Sequence, residues 1–256
     1  MRKSIFFVVV PLLILFGTNC IAREKLVFGA VENTPPYVFE ENDKLVGIAV
    51  DIFKETQIRA GFEAIIQPLP AKRMVLFGTL GKIDGFIQSH LNSSRKTIIY
   101  SSIPGYESMY SLFMKKGDEH KFTGSKLTDL NGKRVGWKRG YGFTKEMSQA
   151  IENGNFIVEV VNASEQNLKK LINNRIDCFI DNHYAVMYLI KTMNLKDRIS
   201  YSSSPFFPKK GIYMAIGKKG TGIKDKKIFM DKLNAALESI HQDHTVDKIV
   251  RKYIDN

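Results

Sequence analysis

Apolar residues along the chain switch period repeatedly, from short runs or strict alternation to helical spacing and back. Residues 24–31, EKLVFGAV, predict a strand, ENTPPY a turn, and VFEENDKLVGI a second extended piece. From Ile48 the period lengthens. Ala49, Ile52, Phe53 and Ala60 share one helical face, and Gly61 stands where such a helix would end. FEAIIQPL then predicts a strand, AKRMVLFGTL a helix and IDGFIQ a further strand. Strands alternating with helices at this spacing predict a parallel α/β sheet.

The rhythm recurs in a second block. KRVGWK predicts a strand, YGFTKEMSQAIEN a helix, FIVEVV a strand, SEQNLKKLINN a helix capped by Ser164, and IDCFI a strand running into the helical HYAVMYLIKTM. Two α/β blocks imply two lobes. The extended ESMYSLFMKK leads out of the first block and KKGIYMAIGKK leads back, so lobe 2 is expected as an insertion in lobe 1, joined by two hinge strands. Lobe 1 is expected over 23–109 and 213–256, and lobe 2 over 110–212. Leu233, Leu237 and Ile240 on one face, with Ile249 and Tyr253 on another, predict terminal helices packing back on lobe 1. A cleft between such lobes is a usual place to bury a small ligand.

The first residues change the picture of where the protein works. Residues 1–22, MRKSIFFVVVPLLILFGTNCIA, have a basic start, an apolar stretch and a small-residue exit, the layout of a cleaved secretory signal peptide. The apolar run is shorter than the about 18 residues a membrane span needs. Asn19 before Cys20 argues against a lipid-modified cysteine, and cleavage after Ala22 leaves Cys178 alone, without a disulfide partner. No spacing suited to zinc occurs, and neither a metal nor a cofactor is expected. Hydrophobic residues make up 44% of the chain, enough for a sizeable core. Loss of Arg2 and Lys3 subtracts two from the formal net charge of +12, leaving a basic surface. Its lysines come in scattered pairs and form no long block, which fits a solvated face rather than a nucleic-acid site.

In open α/β sheets ligands bind beyond the carboxyl ends of the strands. That rule selects ENTPPY, SHLNSSR, RGYGF and DNHY. Arg95 thereby stands at the cleft mouth, where a guanidinium offers a planar fork of donors to a carboxylate. Gly140 and Gly142 at a strand-to-helix junction favour an anion. Asp181, at a strand end, either pairs with an ammonium group or caps the following helix. Arginine on one lobe and an acid on the other would bracket a zwitterion.

Several stretches together carry a resemblance: PPYVF with KLVGIAVDIFKE, LPAKRMVLFGTLGKIDG, SSRKTIIYS, DLNGKRVGWKRGYGF, NNRIDCFIDN and KKGIYMAIGKKG. In order and spacing the chain resembles the family 3 extracellular solute-binding proteins, the periplasmic amino-acid-binding type of two-lobed receptor. The resemblance implies that Arg95 grips a ligand carboxylate, that Gly140 to Gly142 form an anion loop, and that Asp181 or Asn182 meets an ammonium. It also places ligand contacts near Ser89 and His90. The chain departs from the family at Thr34 and Ala71, where aromatics are common, and at Tyr141, which replaces a hydroxyl residue. Tyr37, Tyr141 and His90 are then expected as side walls, and Arg73 as either a second cation or a partner in a helix-surface ion pair.

The function implied is a monomeric periplasmic receptor, not an enzyme, that captures a small amino acid or related carboxylate for an ABC transporter permease or a membrane sensor. Some proteins resembling this family are dehydratases acting on cyclic carboxylates. That alternative needs a general acid in the cleft, for which Glu32 is the candidate.

Overall fold

The computed structural model describes residues 25–123 and 126–255; the expected signal peptide lies outside them. The first block contains β1 (Leu26–Val31), a hairpin of β2 (Phe39–Glu41) and β3 (Lys44–Val46), α1 (Ile48–Ala60), β4 (Ala64–Leu69), α2 (Ala71–Leu80), β5 (Gly85–His90), β6 (Ile98–Tyr100) and β7 (Tyr106–Ser108). The second contains β8 (Tyr110–Lys115), β9 (Arg134–Lys138), α3 (Lys145–Glu152), β10 (Ile157–Val161), α4 (Ser164–Ile172), β11 (Cys178–Asn182), α5 (His183–Thr192) and β12 (Ile199–Tyr201). The chain then returns through β13 (Lys210–Gly217) to α6 (Lys226–Gln242) and α7 (Thr245–Ile254).

Two sheets result, and the fold is the expected two-lobed α/β arrangement. The first runs β4-β1-β5-β13-β6, with β7 also on β13; the second runs β10-β9-β11-β8-β12. β1, β4 and β5 are parallel, as are β9, β10 and β11. The strands bringing the chain out and back, β8 and β13, are antiparallel to their neighbours, so both sheets are mixed rather than purely parallel. Passage from the first sheet to the second occurs at Met109, and the return spans 202–209.

Each sheet is covered on both faces, which explains the dense apolar strands. Phe28, Ile48, Phe53, Leu233 and Leu237 fill the layer beneath α1 and α6, while Met74, Ile83 and Phe86 fill the layer beneath α2. In the second lobe β11 divides its residues by period two. Cys178 and Ile180 enter the layer holding Trp137 and Met147, and Phe179 enters the opposite layer with Leu168 and Val186. Burial pushes the Cys178 thiol up to about 12, so it stays protonated as a core residue.

One local difference concerns α4. Ser164 is its first helical residue and Ala163 holds the cap position. The Gln166 side chain closes that end, its Oε1 accepting from the N–H groups of Asn162 and Ala163 at 2.8 and 3.2 Å.

Candidate functional site

The carboxyl ends of β1 and β5 in the first lobe and of β11 in the second reach one cleft, which contains a cavity of about 330 Å³. Its walls come from both lobes: Tyr37, Gln88, Ser89, His90, Arg95, Tyr106 and Ser108 from the first, Tyr110 and Asn182 from the second. Thr34 and Ala71, two of the positions at which the chain departs from the resemblance, also line it.

Arg95 is carried by a loop that folds on itself. Asn92 Oδ1 accepts from the N–H and the hydroxyl of Ser94, at 3.0 and 2.6 Å. The Arg95 N–H donates to the Asn92 carbonyl at 3.0 Å, and the Arg95 carbonyl accepts from Ile98 N–H at 3.1 Å, at the start of β6. Short polar side chains thus build a tight turn with its backbone groups satisfied. The half-buried guanidinium makes no ion pair or hydrogen bond among the described residues, so its donors remain available to the cavity. His90 registers the local field. Burial first, and then the charges of Lys210 and Arg95, hold its imidazole below the ordinary histidine range.

Tyr37 is held by the start of α1. The helix has no side-chain cap; instead Ile48 and Ala49 donate their N–H groups to the Pro36 and Tyr37 carbonyls at 2.8 and 3.1 Å. This fixes the Tyr37 ring, which stacks on Tyr106 with centroids 5.3 Å apart. The Tyr37 hydroxyl crosses the cleft and donates to Asn182 Oδ1 at 2.6 Å. Behind that ring, the Tyr106 hydroxyl donates to Gln88 Oε1 at 2.8 Å. Burial raises both tyrosine hydroxyls well above their usual range, so they act as neutral donors.

The strand end of lobe 2 separates two residues that the sequence left as alternatives. Asn182 lines the cavity, whereas Asp181 is 0% exposed and does not. Asp181 Oδ1 accepts from the Tyr141 hydroxyl at 3.0 Å and from Asn182 N–H at 2.7 Å. Burial raises its carboxyl, opposed by Ser164, the Asn182 N–H, Lys138 and Tyr141. The expectation that Asp181 faces a ligand ammonium therefore meets a different geometry: the acid is sealed beneath Tyr141.

Tyr141 is itself pinned. Its carbonyl accepts from Trp137 Nε1 at 3.0 Å, its ring stands at 5.4 Å from Tyr110, and Lys138 Nζ lies 5.5 Å over its face. Gly140 has φ +90 with open space around it, which suits a turn, and neither it, Tyr141 nor Gly142 lines the cavity. Glu32 and Arg73 also lie off the lining; Arg73 is exposed on α2 and makes no ion pair among the described residues.

Sequence reasoning missed Tyr106, Ser108 and Tyr110 as site residues. Their signal was present: they alternate in GYESMY, so a strand there puts all three on one face. Gln88, at the end of β5, carried no comparable mark. Among the described residues no cluster of three or more His, Cys, Asp or Glu side chains is placed to hold a metal ion.

Comparison with known proteins gives this geometry a context. The Bacillus subtilis (strain 168) probable amino-acid-binding protein YxeM is 21% identical over 268 residues, covering 100% of this chain and 96% of that protein. Among solved structures, substrate-binding domain 2 of Lactococcus lactis GlnP in its open conformation matches with a TM-score of 0.72 at 20% identity, over 91% of this chain and 97% of that one. An ancestral arginine-binding protein bound to arginine matches with a TM-score of 0.60 at 24% identity, over 90% and 98% of the two chains. These structural likenesses establish the shared fold. Bacterial extracellular solute-binding proteins, family 3, match over residues 26–256, and the chain belongs to that family.

Proposed function

We propose that the protein is an exported, monomeric receptor that closes its two lobes over a small amino acid or related carboxylate and performs no chemistry on it. The observation that carries this reading is the unpaired Arg95 guanidinium at a cavity whose walls come from both lobes. A bidentate contact to a carboxylate suits that fork of donors, and closure would strengthen it by excluding water. Two similar proteins agree in kind: one is a probable amino-acid-binding protein and another an ancestral arginine-binding protein. The ligand would then be handed, from the periplasm, to an ABC transporter permease or to a membrane sensor; membership of an extracellular solute-binding family supports an exported receptor of this kind. An enzymatic role resting on Glu32 has less support, because that carboxylate is not on the cavity wall.

A thermal-shift screen against amino acids and small organic acids, followed by calorimetric titration of Arg95→Ala and Arg95→Lys, tests the reading. Arg95→Ala is expected to bind the screened ligand at least about a hundredfold more weakly, a loss of about 2.7 kcal/mol, while folding normally. Arg95→Lys is expected to bind poorly too, since a point charge cannot replace the planar fork. Affinity near that of the wild type in Arg95→Ala would remove the central contact.

A further inference from the structure

We infer that the ligand is a small organic acid that carries no ammonium group, such as a 2-oxo acid, a 2-hydroxy acid or a dicarboxylate. This rests on the carboxylate-gripping role of Arg95 proposed above and narrows it.

Among the described residues, no side chain lining the cavity is an acid. The nearest candidates are engaged or placed elsewhere. Asp181 is sealed under Tyr141, Glu107 pairs with Lys209 at 2.9 Å, and Glu32 lies off the wall. An ammonium brought into this cleft would lose its hydration beside the Arg95 guanidinium without meeting a counter-charge.

Asn182 holds the position on lobe 2 that could have served instead, and its hydrogen bonds decide what it offers. Oδ1 accepts from the Tyr37 hydroxyl at 2.6 Å and from the Ala185 N–H at 3.0 Å. The second donor is a backbone amide, which cannot accept, so the side-chain oxygen has to face it and the amide orientation is fixed. Both lone pairs are then in use. Nδ2 gives one hydrogen to Ser108 Oγ at 3.0 Å, and its other N–H is left over. Asn182, which lines the cavity, therefore has a donor to spare and no acceptor. On the opposite wall, Gln88 Oε1 accepts from the Tyr106 hydroxyl, which leaves both amide hydrogens and one lone pair of that oxygen, but no charge, for a ligand. Lys210 and Arg95 add positive charge beside His90, whose imidazole is lowered by burial first and by these two cations after it. A site with spare donors on both walls fits a ligand with acceptor oxygens at both ends. It discriminates against a cation as much by what it lacks as by what it holds.

Matched pairs titrated calorimetrically into the wild-type protein provide the test: 2-oxoglutarate with L-glutamate, phenylpyruvate with L-phenylalanine, and L-lactate with L-alanine. In at least one pair, the acid lacking nitrogen is expected to bind at least tenfold more tightly than the amino acid, and that binding is expected to fall in Arg95→Ala. Asn182→Asp, which adds the missing charge at the same place, is expected to move the preference at least tenfold toward the amino acid. A tighter Arg95-dependent amino acid in every pair that binds would overturn this inference and leave the receptor reading standing. Binding indifferent to Arg95 would overturn the receptor reading, and no binding by any of the six compounds would overturn the inference. An unchanged preference in a folded Asn182→Asp would also count against it.

Discussion

His183 opens α5 with its ring buried against Phe113 and Tyr201, and its Nδ1 lies 3.0 Å from the Ser111 hydroxyl. Burial pushes its pKa from 6.5 down to about 4. The folded protein thus keeps the ring neutral while the unfolded chain takes up a proton below pH 6.5. Its contribution to stability is complete above that value and is lost as the pH falls toward 4, about 3 kcal/mol over the window. Urea unfolding of wild type and His183→Gln from pH 7 to 4 should show the wild type losing its advantage by about that amount; a constant gap would mean the ring is solvated. Site residues were unevenly legible. Arg95 stood out only in company: alone it reads as a surface arginine in a polar loop, but the strand-exit rule puts its loop beside three others at one cleft, and the resemblance singles out the same residue. Asp181 and Asn182 could not be separated, since neighbouring residues of a strand point to opposite faces and one position of register decides which meets the cleft.

At the scale of the element, the first turn of α1 links secondary structure to the site. Gly47 has φ +131, and a Cβ there would stand 2.3 Å from the Tyr37 carbonyl oxygen. Its N–H also donates to the Tyr253 hydroxyl at 2.9 Å, tying α7 to the same corner. Gly47→Ala should cost at least about 1–3 kcal/mol from the backbone alone and weaken ligand binding by displacing Tyr37. Gly61→Ala is the control at the other end of the helix: φ is +70, nothing lies near a Cβ, and a loss of about 1 kcal/mol with normal binding is expected. Equal effects on binding would break the link between this turn and the cavity. Both ends of α1 were readable from periodicity and glycine. β12 was not, because three residues between polar segments carry too little pattern to stand out.

Across the whole molecule, the insertion of one block in another was readable from the extended passages out and back. The antiparallel sense of β8 and β13 was not, since alternation looks the same in either direction. Among the described residues, contacts between the lobes beyond the cavity include α5, whose Tyr184 packs against the core of the first lobe and which also meets α7. Phe39 meets Tyr188 with ring centroids at 5.4 Å, and Lys191 Nζ donates to the carbonyls of Lys252 and Asp255 at the end of α7. With only Met109 and 202–209 carrying the chain across, rotation about those segments is the inexpensive motion. Small-angle scattering should therefore give a smaller radius of gyration with saturating ligand than without. An identical radius in both conditions would argue for a rigid cleft.

Trp137, whose indole N–H holds the Tyr141 carbonyl, is the only tryptophan in the chain. It is buried, stacks on Phe143 at 4.7 Å, and supports the loop whose tyrosine faces Tyr110 at the cleft wall. Every photon of tryptophan emission from this protein consequently originates one hydrogen bond and one ring contact behind Tyr110, a residue of the cavity wall. The molecule carries its own optical gauge, and occupancy of the cleft can be followed by fluorescence without attaching a dye.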